Sequence, residues 1–331
     1  MKNLRYICVQ PRVKYYSWQI EVVINNFMKH GVNMNKLEIL MAINPNDDTS
    51  NQENVELFRK LADRYNFVRF FFYEDTREDK RYIPSIYFNI LKQHLKAFPE
   101  LEKDALFLFD SDTIFTKPLD FSPMLNDDKW YLSDTVSYIG YNYIKSKIQP
   151  DYDVYNGMCK IVGINPSIPK LLDSQSGGAQ HIVKNTTFEF WDKVEKNSIE
   201  LYKYFCEIEY KYKKTHDGDY PIQKWTAGMW SLLWNAWFFE HETVVDKRLD
   251  FCWATDPISY WDERAIFHNA GVTCSCGLFF KGEYTNKLPY NTNLRIKNTN
   301  CSYNYYNELI EVGKKSCLVD HEVQNNIEDI S

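Results

Sequence analysis

Residues 105–113 read Ala-Leu-Phe-Leu-Phe-Asp-Ser-Asp-Thr, five apolar residues followed by two carboxylates that one serine separates. An apolar run of this length, bounded by turn-forming residues, predicts a buried β-strand that ends at Phe109. Asp110 and Asp112 follow at positions i and i+2, a spacing that directs both side chains to the same side of an extended chain. The stretch therefore predicts an acidic pair at the carboxyl end of a buried strand.

Alternating strand and helix patterns precede this stretch. Apolar runs predict strands at 4–9, 37–43 and 67–73, and apolar residues at helical spacing predict helices at 18–28, 55–65 and 84–98. Strands that alternate with helices of this length indicate βαβ units and a mostly parallel sheet, so we expect an α/β fold of Rossmann-like type. Sites in such sheets lie beyond the carboxyl ends of the strands, where the acidic pair falls.

The second half of the chain is less regular. Short strands are predicted at 130–133 and 160–164, and helices at 188–205 and 229–239. No low-complexity linker divides the sequence, so we expect one domain over residues 1–317, followed by a polar tail at 318–331.

Composition excludes several classes of protein. The 331 residues are 44% hydrophobic and 25% charged, which is typical of globular proteins, and the net charge of −6 argues against binding to nucleic acid or to anionic membranes. Neither the N-terminal sequence nor the longest apolar run, 229–239, predicts a signal peptide or an integral membrane segment. We therefore expect a cytoplasmic protein whose eight cysteines are reduced thiols.

The acidic pair predicts a metal site. Two carboxylates on one side of a strand end repel each other unless a cation lies between them. Mg²⁺ and Mn²⁺ are hard, oxygen-seeking cations that proteins commonly bind through one or two carboxylates together with substrate phosphates. The alternative is a turn, since aspartate and serine often end strands without any chemistry.

The Asp110-Ser111-Asp112 motif after a fourth strand resembles that of GT-A glycosyltransferases, which use nucleotide-sugar donors. Three other segments are similar to that class: 10–12 after the first strand, the glycine-containing 176–180, and 267–271 with a late histidine. The resemblance covers residues 4–271, and the overall sequence resembles those of proteins of large algal viruses and of polysaccharide gene clusters. In a viral protein, the expected compartment is the host cytoplasm.

The resemblance implies a function and a set of residues. It implies a nucleotide-sugar donor and a glycan acceptor, with residues 1–125 on the nucleotide side and residues 126–317 on the side of the donor sugar and acceptor. It also implies metal ligation by Asp110, Asp112 and His268, and an imidazole ligand favours Mn²⁺ over Mg²⁺. The donor-binding candidates are Gln10, Pro11, Arg12, Arg81, Ser111, Gly177, Gly178 and Gln180.

The catalytic base is not assigned by the resemblance. Many GT-A members carry it at the start of a helix after the glycine segment, but residues 225–230 here contain no carboxylate. The candidates are Asp134, which follows a predicted strand, and Asp219, which lies upstream of that helix. Both residue types are also common in turns, and the choice between an inverting and a retaining reaction stays open.

Two other functions fit part of the sequence. Asp110 to Thr113 superficially matches the nucleophile motif of haloacid-dehalogenase phosphatases, but that family opens its core with the motif, whereas three strand–helix units come first here. A non-catalytic carbohydrate-binding protein would explain the 54 aromatic residues (9 Trp, 24 Tyr and 21 Phe). It would not explain acids at the edge of a parallel sheet.

Overall fold

The computed structural model describes residues 2–44 and 51–319. The strands are β1 (Leu4–Pro11), β2 (Leu37–Ile43), β3 (Arg69–Glu74), β4 (Ala105–Phe109), β5 (Thr113–Phe115), β6 (Trp130–Asp134), β7 (Gly177–Lys184), β8 (Thr243–Val245), β9 (Phe251–Trp253) and β10 (Ile266–His268). The helices are α1 (Lys14–Lys29), α2 (Asn51–Arg64), α3 (Ile86–Ala97), α4 (Val136–Ile139), α5 (Tyr141–Lys145), α6 (Val154–Val162), α7 (Ser167–Leu171), α8 (Phe188–Tyr212), α9 (Ala227–Phe238), α10 (Ser259–Glu263) and α11 (Cys301–Gly313).

Seven strands form the central sheet, in the order β3-β2-β1-β4-β7-β6-β8. The sheet is mixed: β1 and β4 run parallel, as do β6 and β8, whereas β7 is antiparallel to both of its neighbours. The predicted fold class, an α/β protein with a mostly parallel sheet flanked by helices, is confirmed. The prediction of one domain over residues 1–317 stays a prediction, and the tail from 320 to 331 lies outside the described residues.

By contacts, the chain separates into two compact units. Unit 1 comprises Met1–Val9, Tyr73–Phe109 and Asp120–Leu249. Within it, α8 packs against both α3 and α9. The large side chains Trp191, Trp230 and Trp234 are buried in this unit, at 1% exposure or less. Aromatic residues at helical spacing in α9 therefore form core contacts, as their period predicts.

Unit 2 comprises Gln10–Phe72, Asp110–Leu119 and Asp250–Ser331. It contains a second, three-stranded sheet in the order β5-β10-β9. In that sheet β10 is antiparallel to β5 and parallel to β9. Helix α1 packs on β5, α2 and α11, so this helix is the centre of the unit.

A buried carboxylate holds several segments of unit 2 together. Glu21 of α1 is fully buried and accepts hydrogen bonds from the hydroxyls of Tyr290 at 2.6 Å, Ser316 at 2.6 Å and Tyr65 at 3.2 Å. The backbone N–H of Cys317 donates to its Oε1 at 3.1 Å. These donors satisfy a carboxylate that would otherwise be costly to bury, so they tie Tyr65, directly after α2, and the segments around 290 and 316 to α1.

Two predictions about the later half are wrong. Residues 160–164 are not a strand, because α6 covers Val154–Val162: Asp153 caps it by accepting from Asn156 N, and Gly163 ends it with a left-handed φ of 81°. The cysteines are not all reduced, since the structure bonds Cys274 to Cys276. Their Cα atoms are 5.5 Å apart, within the span that a disulfide bridges.

Within the part of the chain that the structure describes, no helix combines the length and the apolar composition needed to cross a bilayer.

Candidate functional site

The structure brings the acidic pair and the late histidine together in unit 2. Asp110, Asp112 and His268 each present a ligand atom, and these atoms lie within 4.8 Å of one another. The Nε2 atom of His268 is 3.3 Å from Asp112 Oδ1 and 3.6 Å from Asp110 Oδ2. The Asp112 side chain is 5% exposed and that of Asp110 is 47% exposed, so the cluster is closed on one side and open to solvent on the other.

Strand register explains how residues so distant in sequence meet. Strand β5 begins at Thr113, directly after the acidic pair, and pairs antiparallel with β10 so that Thr113 lies opposite His268. One residue further along, the backbone N–H of Asn269 donates to the carbonyl of Asp112 at 2.9 Å. The second sheet therefore fixes the histidine beside the carboxylates through backbone hydrogen bonds.

Helix α1 supports the same region with side-chain contacts. The Asn26 carboxamide donates to Phe115 O at 2.9 Å and accepts from Phe115 N at 2.8 Å, as a neighbouring strand would. Phe27 stacks on the ring of Phe115 with centroids 4.4 Å apart. Gln19 Oε1 accepts from the Ser111 hydroxyl at 2.9 Å. These contacts hold both the turn between the two aspartates and the strand that follows it.

A lysine that the sequence reasoning missed completes the cluster. Lys281 Nζ forms an ion pair with Asp112 Oδ2. Burial alone would raise the pKa of the Asp112 carboxyl, but the ammonium of Lys281 and the imidazole of His268 hold this pKa well below its usual value. These two contacts therefore favour the charged form of Asp112.

The other two members titrate differently. Partial removal from water and the negative charge of Asp112 raise the pKa of Asp110, against the opposing effect of His268. Burial would lower the imidazole pKa of His268, but Asp112 and Asp110 raise it above its usual value of 6.5. The two carboxylates thus favour a proton or a cation between them.

The donor set suits a divalent metal ion. Two carboxylates and an imidazole supply the oxygen and nitrogen ligands that Mn²⁺ accepts. Mg²⁺ would be bound mainly by the carboxylates. Three protein ligands leave coordination positions for phosphate oxygens or water. Beside His268, Asn269 is 1% exposed, and neither polar atom of its side chain has a hydrogen-bond partner among the described residues. Such buried polar atoms favour a polar ligand at this strand end.

The residues predicted to contact the nucleoside also lie in unit 2. Gln10 and Pro11 end β1, and Arg12 follows with its guanidinium 6.0 Å from the centre of the Phe72 ring. The backbone N–H of Arg12 donates to Ala42 O at 2.8 Å. Their role in donor binding stays a prediction.

The predicted donor-sugar segment lies in unit 1, within β7. An added Cβ at Gly177 would overlap Leu132 and come within 2.8 Å of Ser133 O, and one at Gly178 would come within 2.7 Å of Met229 Cε. Close packing against β6 therefore accounts for the first glycine without any ligand.

The same strand carries a bulge next to these glycines. Leu132 pairs with His181 but Ser133 pairs with Gly178, which leaves Ala179 and Gln180 as extra residues on β7. Ala179 has a left-handed φ of 63°, and Gln180 is fully buried. Bulges of this kind re-aim side chains, but contact between Gln180 and a sugar stays a prediction.

Three other predicted residues are surface charges of unit 1. Arg81 is 72% exposed and pairs with Asp79 at 2.6 Å, and Asp219 is 74% exposed and pairs with Lys213 at 2.5 Å. Asp134 is exposed at the end of β6, and its Oδ1 accepts from Val136 N at 3.0 Å. Asp134 and Asp219 stay predictions as catalytic bases, and Arg81 stays one as a phosphate ligand.

Fold and site together define an α/β protein with a candidate metal centre at strand ends. The sequence matches no protein-family model and no curated protein.

Three solved structures to which this chain is similar are glycosyltransferases. The bifunctional glycosyltransferase WbbM is 11% identical at a TM-score of 0.46, over 95% of this chain and 52% of WbbM, so the chain spans about half the length of that protein. A glycosyltransferase involved in glycosylation of the major capsid of PBCV-1 is 9% identical at a TM-score of 0.37, over 81% and 94% of the two chains. The mannosyltransferase PcManGT from Pyrobaculum calidifontis, in complex with GDP-Man and Mn²⁺, is 13% identical at a TM-score of 0.28, over 70% and 71%.

Proposed function

We propose that this protein is a divalent-metal-dependent glycosyltransferase that moves a sugar from a nucleoside-diphosphate donor to a hydroxyl group of a glycan or similar acceptor. The observation that carries the proposal is the cluster of Asp110, Asp112 and His268, whose ligand atoms lie within 4.8 Å of one another at the ends of two strands. Mn²⁺ is the cation that this mixed oxygen and nitrogen set favours.

The three ligands have separate tasks in this proposal. Asp112 is buried beside His268, so it would hold the cation from the closed side of the cluster. Asp110 is half exposed and faces the solvent side, from which a donor diphosphate would approach. His268 is held between the carboxylates and the ring of Trp253, which lies parallel to the imidazole at a centroid distance of 6.0 Å. A bound divalent cation supplies electrostatic stabilisation of the charge that develops on the departing nucleoside diphosphate.

Other groups of this chain are proposed for binding and orientation. Gln10, Pro11 and Arg12 are candidates for the nucleoside side, and Gly177, Gly178 and Gln180 are candidates for the donor sugar. The Ser111 hydroxyl donates its proton to Gln19, so toward the nucleotide sugar it would accept a hydrogen bond. Asp134 and Asp219 are the candidates for the catalytic base.

A thermal-unfolding panel tests the proposal. The wild-type protein is heated with nucleoside diphosphates and nucleotide sugars of each base, with Mn²⁺ or with EDTA. We expect the ligands that carry one particular nucleobase to stabilise the protein when Mn²⁺ is present. A ligand at 100 times its dissociation constant adds about 2.7 kcal/mol to the free energy of unfolding.

Nucleosides without phosphates are the matched control, because they lack the groups that a cation would bridge. Lack of stabilisation by every diphosphate in Mn²⁺, or equal stabilisation in EDTA, would contradict the proposal. A phosphatase would instead hydrolyse a simple aryl phosphate and leave phosphate on Asp110.

A further inference from the structure

Lys281 places a positive charge at the acidic pair. Its ammonium contacts Asp112 Oδ2, while the other oxygen of this carboxylate faces His268 at 3.3 Å. The Lys281 side chain is 28% exposed, and its charge interacts with Asp110 and Tyr15 as well as with Asp112. Both oxygens of Asp112 are therefore already engaged by nitrogen atoms.

The backbone on either side of this lysine is well anchored. Phe279 N donates to the Ser302 hydroxyl of α11 at 2.8 Å, and Trp18 Nε1 of α1 donates to Tyr284 O at 3.4 Å. The rings of Phe279 and Tyr284 stack with centroids 5.3 Å apart. The lysine side chain, with its flexible four-carbon stem, can change direction while this backbone stays in place.

We propose that Lys281 is a tethered counter-ion that competes with the divalent cation for Asp112 and so weakens binding of the metal alone. The inference rests on the proposed function, because it concerns the same metal site. A cation held by Asp110, Asp112 and His268 would lie close to the ammonium, and like charges at such short range repel strongly in a site that is partly removed from water. Metal binding therefore requires the ammonium to leave Asp112, and the free energy of that ion pair is subtracted from the metal affinity.

Competition of this kind couples the binding of the metal to the binding of the nucleotide-sugar donor. A nucleoside diphosphate brings negative charge that offsets the repulsion between the metal and the ammonium, so the two ligands bind more tightly together than separately. The positive charge of Lys281 thus favours a metal that arrives with its nucleotide over a metal that binds alone.

Titration of the full-length protein with Mn²⁺ alone, followed by the EPR signal of free Mn²⁺, tests the competition. Lys281→Met keeps the length of the side chain and removes its charge. We expect it to bind Mn²⁺ at least about tenfold more tightly than wild type, since one strong charge–charge repulsion is removed. The matched control is Lys29→Met in α1, which breaks another lysine–carboxylate pair of unit 2, with Glu308, and should leave the Mn²⁺ affinity unchanged.

Equal or weaker Mn²⁺ binding by Lys281→Met would overturn the inference while leaving the metal site intact. If neither wild type nor Lys281→Met binds Mn²⁺, the proposed function fails as well, so the two failures are distinguishable.

A second measurement uses the wild-type protein and does not depend on the folding of a variant. Lysine amines are acetylated for short times with and without Mn²⁺, and modification of each residue is measured by mass spectrometry. We expect Mn²⁺ to release Lys281 from its ion pair and to accelerate its modification several-fold, with Lys29 as the internal reference. Unchanged or slower modification of Lys281 at saturating Mn²⁺ would contradict the competition.

Discussion

Replacing Asp112 by asparagine is expected to weaken Mn²⁺-dependent binding of a nucleoside diphosphate by at least about 100-fold, because loss of a direct ligand should exceed the 10- to 100-fold effects of changes around a metal site. The substitution keeps the shape of the side chain and removes the charge that Lys281 and His268 face. Isothermal titration calorimetry with the diphosphate selected by the unfolding panel measures the effect, with Mn²⁺ in both solutions.

The matched control is Asp63→Asn, an exposed aspartate of α2 in the same unit that pairs with Arg59 at 2.8 Å. It should bind the diphosphate as wild type does, because surface ion pairs contribute little. Wild-type affinity in a folded Asp112→Asn protein would show that the carboxylate takes no part in nucleotide binding.

Replacing Glu21 by alanine is expected to lower the free energy of unfolding by about 4 kcal/mol, since each buried donor left without an acceptor costs about 1–3 kcal/mol. Tyr290, Ser316 and Cys317 would each lose a hydrogen bond to α1, the helix that also holds Ser111 through Gln19. Chemical denaturation followed by circular dichroism measures the change.

Two variants make the Glu21 result specific. Glu21→Gln keeps the size of the side chain and one carbonyl oxygen, so its loss should be smaller than that of the alanine variant. Glu53→Ala removes a carboxylate of α2 that is 63% exposed and pairs with Lys14, and it should leave the unfolding curve unchanged. An alanine variant at position 21 as stable as wild type would mean that the donors to Glu21 find other partners.

The first half of the fold was predictable because local patterns there agree with the tertiary structure. The apolar run before Asp110 is β4, and its residues are all buried, at 1% exposure or less. The strand predicted at 160–164 is wrong because these residues include the end of an amphipathic helix. Residues buried at helical spacing after Asp153 are Tyr155, Met158, Cys159 and Val162. Short apolar runs do not distinguish a strand from a buried helical turn.

The site was predictable only in part, for a physical reason. The spacing of Asp110 and Asp112 is local, so the sequence contains it, whereas the place of His268 depends on the register of β5 with β10 across a long intervening chain. No sequence pattern indicated Lys281, because it follows an irregular segment and reaches Asp112 through a long side chain. Asn26, which binds β5 as a strand would, looks in the sequence like any polar residue of a helix.

The central claim is that the two aspartates and the histidine hold a divalent cation under a diphosphate. Diffraction from crystals grown with Mn²⁺ and the diphosphate selected by the unfolding panel, recorded at the manganese absorption edge, tests it most directly. We expect an anomalous peak within about 2.3 Å of ligand atoms of Asp110, Asp112 and His268. A bound nucleotide with no manganese peak at these three side chains would contradict it.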